Sequence, residues 1–317
     1  MKRKLLLLCF LTVFLAGCQN NPYNPEELDH LCVSRGSLYC QDENRNIYCV
    51  DLQSCKTVKS DVSDDSSIYQ MENEIYLVGG GHISKLTNGS FAEVGTAPDS
   101  SLAELVGIVD EHCYYVEWEK IVSWNYITSE KTVVYSFSDV VTFPIAVTKE
   151  GLFYGDDAGL HFIGFGREET VKVAEGYVSA LQADRDVIYY AVSSQREASV
   201  GENGETDTYY SGATYYRYDH GVVTALTETN YGGTSKTRFA IDEGCLYAVD
   251  ESDNRERSVL CCVNSDGSVS RKELSQKVDV EKGIAAEGNI VVFGGPEHKL
   301  WKYDKESDTI SEVQVSR

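Results

Sequence analysis

The chain has 317 residues, 50 Asp and Glu against 28 Lys and Arg, and a formal net charge of −22. A surface of that sign repels nucleic acid and anionic lipid headgroups, and no basic cluster follows Lys4, so the composition argues against a nucleic-acid partner. With 26 Gly, 21 Tyr and only 5 Pro, and no helical period sustained over about twelve residues, the chain reads as short strands joined by tight turns.

Lys2, Arg3 and Lys4 precede an apolar run from Leu5 to Leu15, interrupted only by Thr12. The run is too short to cross a bilayer as a helix, which needs about 20 residues. A basic start, a short apolar stretch and small residues at its exit read as an export signal. Leu15-Ala16-Gly17-Cys18 resembles the lipobox of bacterial lipoproteins. That resemblance implies cleavage before Cys18, with Cys18 becoming the lipidated first residue. The expected organisation is a signal peptide over 1–17, the lipidated Cys18 and a polar tether over 18–29, and a folded body over 30–317. The partner implied at this end is the lipid bilayer, reached through an acyl anchor on the extracytoplasmic side of the cell envelope. Removing 1–17 takes away three cations and no acid, leaving about −25, so the acyl chain and not charge would hold the body to the membrane.

From His30 onward one pattern recurs: an apolar residue, two free positions, an apolar residue, then a polar or Gly stop. It stands at Ile47–Asp51, Ile83–Thr87, Ile121–Asn125, Phe162–Gly166, Tyr215–Asp219, Leu260–Asn264 and Leu300–Asp304. The stops are 36, 38, 41, 53, 45 and 40 residues apart. Before each copy a polar or Gly-containing turn leads into an apolar strand, as in Gly36-Ser37-Leu38-Tyr39 and Glu243-Gly244-Cys245-Leu246-Tyr247, and further strands flank both pieces. Seven copies of four strands at a period near 40 predict an all-β fold, a β-propeller of seven four-stranded blades. Alternate apolar residues would pack each blade on its neighbours, which accounts for most of the tyrosines.

The fifth repeat departs from even spacing. Tyr189 to Tyr247 spans 58 residues, and the excess falls in the polar, acidic stretch Ser193–Ala213, which joins the second and third strands of that blade. Loops at that position emerge on the face that also carries the inter-blade connections. Long loops in compact domains are functional or disordered, and this one reads either as a functional loop or as a mobile surface hairpin. Arg196, Glu202, Asp207, Tyr209 and Tyr210 of this stretch are the candidate binding residues.

Eight cysteines remain once Cys9 and Cys18 are set aside. A turn at Glu43–Asn46 would set Cys40 opposite Cys49, a bridge that export permits, while buried free thiols are the open alternative. A second count sets Cys245 close to Cys261–Val263. The spacings fit no zinc pattern. His82, His161 and His298 sit near the same strand ends in repeats two, four and seven, but those blades are well separated around a ring, and no metal is expected. The acidic stretches Gln41–Asn44, Gly155–Gly159 and Asp250–Asn254 lack the calcium-loop spacing and read as solvated turns. No nucleophile elbow, Cys–His pair or phosphate loop occurs, so no catalytic residue and no cofactor is assigned; His112 and Cys113 are adjacent on a strand and so point to opposite faces.

Leu38-Tyr39-Cys40, Ile75-Tyr76-Leu77 and Leu300-Trp301-Lys302-Tyr303-Asp304 resemble the repeats of bacterial lipoproteins carrying a degenerate propeller, the broad group that includes TolB-like and YWTD-like domains. The Tyr-Trp-Thr-Asp tetrapeptide is missing, as are the tryptophan-docking motif of quinone-dependent dehydrogenases and the Gly-His…Trp-Asp pair. The resemblance implies a fold and an envelope address and carries over no catalytic residue. The expected function is a membrane-anchored extracytoplasmic binding or scaffold module, with a protein or glycan partner at one propeller face. The alternative is a surface enzyme of the polysaccharide lyase or hydrolase type, with a site assembled from several blades. Inward carboxylates, His, Tyr and Arg in the central channel would mark the enzyme, and a channel mouth of small residues the scaffold.

Overall fold

The computed structural model describes residues 31–41, 46–54, 57–59, 66–71, 74–98, 104–167, 169–200, 206–230, 239–251, 257–275, 277–278, 283–295 and 299–315, and for 57–59, 104, 194–200, 206–211 and 251 the backbone alone. The signal peptide, Cys18 and the tether, all within 1–30, lie outside the described residues.

Seven four-stranded antiparallel sheets follow one another, each built from four strands consecutive in the chain. They cover 31–59, 66–96, 104–136, 145–175, 178–229, 240–273 and 284–313, here blades 1 to 7. Among the described residues every element is a strand. The chain is a seven-bladed β-propeller.

The turn chemistry explains the strand boundaries. The first two strands of most blades are joined by two residues, as Ser34↔Ser37 and Asp242↔Cys245 show. Such hairpins need left-handed backbone, and Arg35 and Gly36 supply it at φ 52° and 73°, Glu243 and Gly244 at 47° and 78°.

Alternation of side chains then builds the core. Tyr189 packs toward blade 6 and Tyr190 toward blade 4; Tyr114 faces blade 4 and Tyr115 blade 2. Every apolar cluster lies between two adjacent blades: 1/2, 2/3, 3/4, 4/5, 5/6, 6/7 and 7/1. A single sheet cannot bury both faces alone, so the ring is the unit that removes this surface from water. Polar side chains stitch the same seams. Gln41, 3 % exposed, donates from Nε2 to the Ser66 carbonyl at 2.5 Å and accepts the Ile68 N–H at 3.3 Å across blades 1 and 2.

Two expectations need correction. In the fourth repeat the third strand is Gly159–Gly164, three residues ahead of the motif Phe162–Gly166, because the turn at Asp156–Ala158 starts it early. Cys40 is opposite Tyr48 and Cys49 is opposite Tyr39, so the two cysteines are one register step apart and point to opposite faces. Cys32, Cys40, Cys49, Cys113, Cys245, Cys261 and Cys262 are free thiols; Cys55 lies outside the described residues.

Candidate functional site

The two faces of the ring differ in what they carry. The lower face holds the turns between first and second strands and between third and fourth. The upper face holds the turns between second and third strands and the inter-blade connections.

Of the two readings of Ser193–Ala213, functional loop or surface hairpin, the structure has the hairpin, and it is largely strand. The second strand of blade 5 runs Val187–Val200 and the third Thr206–Asp219, fourteen residues each. They pair in one unbroken register from Ile188↔Tyr218 to Val200↔Thr206. Thr206, Thr208, Tyr209 and Tyr210 are β-branched or aromatic, which suits a pleated ribbon. Arg196 pairs with Tyr210, Glu197 with Tyr209 and Ser199 with Asp207. The ribbon thus brings Arg196 and Tyr210 to one register position and places Tyr209 and Asp207 on the other face; Glu202 lies outside the described residues.

Trp118, missed in the sequence, stands on the same upper face. Glu117 pairs with Lys120, so Trp118 and Glu119 form a two-residue turn, where blade 2 has Gly80-Gly81. Trp118 has a left-handed φ of 58° and is 61 % exposed. The signal available was that substitution of a glycine position by the largest side chain. Its carbonyl accepts the Val141 N–H at 2.9 Å, which brings the exposed Val140 alongside. Beneath this connection Phe137, Phe143 and Tyr154 contact one another with centroids 5.1 to 5.2 Å apart, and His161 stacks on Tyr154 at 4.8 Å.

The acidic stretches on this face are structural where they are described. Asp156 accepts the N–H groups of Ala158 and Gly159 and meets His161 Nε2 at 3.0 Å. Burial opposes its ionisation, and these donors outweigh it, holding the carboxyl below its ordinary range. Asp250 is not a solvated turn residue. It is 2 % exposed, meets Arg271 Nη1 at 2.6 Å and accepts the Asn230 N–H at 2.6 Å. Nothing local in the sequence marks that pairing, since Arg271 stands on the blade's outermost strand. Residues 42–45 and 252–256 lie outside the described residues.

The histidines are not brought together. His82 pairs with Glu93 of its own blade at 3.2 Å and His161 with Asp156, while His298 lies outside the described residues. On the lower face His220 sits 2.7 Å from Asp219, whose hydrogen bond raises the imidazole pKa. Among the described residues no three His, Cys, Asp or Glu side chains gather as a metal site.

The central channel is enclosed by the first strands of all seven blades, with a volume of about 400 Å³. Small residues such as Gly107, Ala146 and Ala240 line it together with larger ones such as Ile68, Met71 and Phe239, and Asp184 and Arg185 at the lower rim are the charged residues on it among those described. Among the described residues the wall does not gather carboxylates, His and Arg from several blades.

No protein-family model matches the chain, and no curated protein sequence does. Solved structures are similar in fold. A chain of a mitotic checkpoint complex is 10% identical over 90% of this chain and 94% of that one, with a TM-score of 0.56. Hsv2 of Kluyveromyces lactis is 10% identical over 91% of this chain and 98% of its own, with a TM-score of 0.52. Likeness at that identity concerns the fold alone.

Proposed function

We propose that this chain is a lipid-anchored extracytoplasmic propeller that binds another protein on its upper face, through the ribbon of blade 5, and catalyses no reaction. One observation carries the reading. The second and third strands of the other six blades run five to seven residues, and those of blade 5 run fourteen. Eight residues of extra strand, Ser193–Val200, reach about 25 Å. A two-stranded ribbon beyond its sheet is marginal by itself, so the ring gains little from it. The scarcity of charged side chains among the described residues of the channel wall supports the non-catalytic half of the reading, and the exposed Trp118 and Val140 supply a second contact area on the same face. The anchor rests on Lys2–Lys4, Leu5–Leu15 and Leu15–Cys18.

The test is crosslinking and capture from native envelopes with the protein and with a variant whose Arg196–Gly212 is replaced by a short Gly-Ser turn. Loss of a specific protein partner with the ribbon supports the reading. Equal capture by both refutes the role of the ribbon, and capture of glycan in place of protein refutes the partner class. For the anchor, Cys18→Ser releases the protein from membranes; unchanged lipid labelling would refute it.

A further inference from the structure

The ribbon of blade 5 outruns its own sheet on both sides. On the inner side the last register partner is Val178↔Val192, and on the outer side Ala213↔Thr229. Where that outer ladder ends, the N–H of the following residue, Asn230, is donated to Asp250 of blade 6, so the outer strand is tied to that blade. Among the described residues, no strand lies outside Thr206–Gly212.

The backbone settles which groups this edge presents. The Ser193 N–H donates to the Tyr177 carbonyl, on the inner side. Amide direction alternates along a strand, so the N–H groups of Arg196, Ala198 and Val200 face the partner strand. Through the register, Tyr210, Thr208 and Thr206 face back to them. That leaves the N–H and C=O groups of Asp207, Tyr209 and Ser211 directed outward. An unpaired row of such groups is a template for another strand, which proteins ordinarily blunt with Lys, Pro or a bulge. Thr206–Gly212 contains neither Lys nor Pro, and its ladder has no register shift.

Charge selects the occupant. Ser193–Ala213 carries Glu197, Glu202, Glu205 and Asp207 against Arg196 alone, on a chain of net charge −22. A second copy would set two acidic ribbons edge to edge, and like charges across strands destabilise pairing. A strand with basic residues meets the opposite condition.

We infer that the outer edge of Thr206–Gly212 takes up an extended basic segment of a partner protein as a fifth strand of blade 5, hydrogen-bonded to Asp207, Tyr209 and Ser211. This rests on the reading of the ribbon as the binding element and specifies how it binds.

The probe is an acetylated heptapeptide alternating Lys and Val, titrated against the full chain by fluorescence anisotropy at fixed ionic strength. Its control has the same sequence with every internal amide N-methylated, which keeps the charge and removes the ladder. The unmodified peptide binds, and the methylated one binds at least about tenfold more weakly, since several backbone bonds are lost. Tyr209→Pro removes one outward N–H and weakens binding about threefold to tenfold, while Tyr209→Ala keeps it. Thr208→Pro, which interrupts the ribbon's own ladder, serves as the disrupted reference, and unchanged far-UV circular dichroism and Tm show that Tyr209→Pro has kept the fold. Equal affinity for both peptides, unaltered binding by a folded Tyr209→Pro, or no binding of the unmodified peptide overturns the inference. If ribbon replacement abolishes envelope capture but Tyr209→Pro leaves capture and peptide binding intact, the edge falls and the binding role stands.

Discussion

The seam between blades 5 and 6 offers a test of how this ring is held together. Asp250 is 2 % exposed and meets Arg271 Nη1 at 2.6 Å, whose Nη2 donates to the Glu228 carbonyl at 2.7 Å. The two partners are unequal, because the Arg271 side chain is 46 % exposed. Removing the cation strands a buried carboxylate, a loss of about 3–5 kcal/mol in the general case. Asp250 keeps the Asn230 N–H, so Arg271→Ala is placed at the lower end, about 3 kcal/mol. Asp250→Asn keeps an acceptor for that N–H and leaves a guanidinium that water can reach, so the cost is about 1 kcal/mol after solvent screening. Arg271→Lys keeps the charge and loses the fork to Glu228, again about 1 kcal/mol. The assay is equilibrium unfolding in urea, read by tryptophan fluorescence and circular dichroism, with midpoints compared at equal slope. The reasoning fails if Asp250→Asn costs as much as Arg271→Ala. That outcome would mean that the lost contact, and not the loss of the cation beside a buried carboxylate, sets the energy.

Other expectations follow from the same packing. A Cβ on Gly95 would lie 2.3 Å from the Tyr126 carbonyl oxygen, so Gly95→Ala forces blades 2 and 3 apart and costs about 1–3 kcal/mol; an unchanged urea midpoint contradicts this. Trp118→Gly relieves a left-handed φ of 58° and removes an exposed ring, so stability holds or rises by about 1 kcal/mol, and a fall of that size in the thermal transition contradicts it. Burial pushes the thiols of Cys32, Cys113 and Cys261 from 9.0 up to about 12, so the folded state holds those protons more tightly. Their contribution is whole below pH 9 and is lost as pH rises toward 12, so the urea midpoint falls above pH 9, less steeply in Cys113→Ala. Iodoacetamide at pH 8 leaves these three unlabelled in the native protein; rapid native labelling contradicts their burial.

The repeat was legible because one blade is one supersecondary unit, and its two cheapest signals, period-two apolar residues and a turn-forming stop, are local. Leu38-Tyr39 or Val291-Val292 can be read as sending neighbours to opposite blades without knowing which blades those are. What depended on a single register step was not legible. Cys40 and Cys49 differ from a facing pair by one residue, and Phe162–Gly166 misplaces its strand by three. Composition left Ser193–Ala213 open between a functional loop and a surface hairpin, and the ladder, which runs on through Thr206–Tyr210, makes it a hairpin. Asp250 was read by its acidic neighbours; its burial is decided by Arg271 and by Asn230 of the adjacent blade, which no local pattern connects.

The ribbon could lengthen in blade 5 without disturbing the ring because each sheet is made of its own consecutive strands. Among the described residues, blades 7 and 1 are each made of their own four strands and the closing seam shares none. It is held by an apolar cluster that includes Val33, Leu38, Val292 and Leu300, by the Gly36 N–H on Glu287, and by Lys302 on the Leu52 carbonyl at 2.6 Å. The seams are closed chiefly by side chains across the blade faces, beside a few backbone bonds such as Thr96 N–H to the Tyr126 carbonyl and Val178 N–H to the Asp156 carbonyl, and the growth in blade 5 lies beyond the last register partners of its flanking strands. Adding residues there leaves Val178↔Val192 and Ala213↔Thr229 in place and costs the core nothing. The same geometry determines what such growth creates. Extra residues in a turn make a loop, but extra residues in two paired strands make new sheet edge, and edge binds through the backbone. Specificity at such an edge falls to charge and to the alternate side chains, which is why an acidic ribbon on an acidic ring selects a basic strand and rejects its own copy.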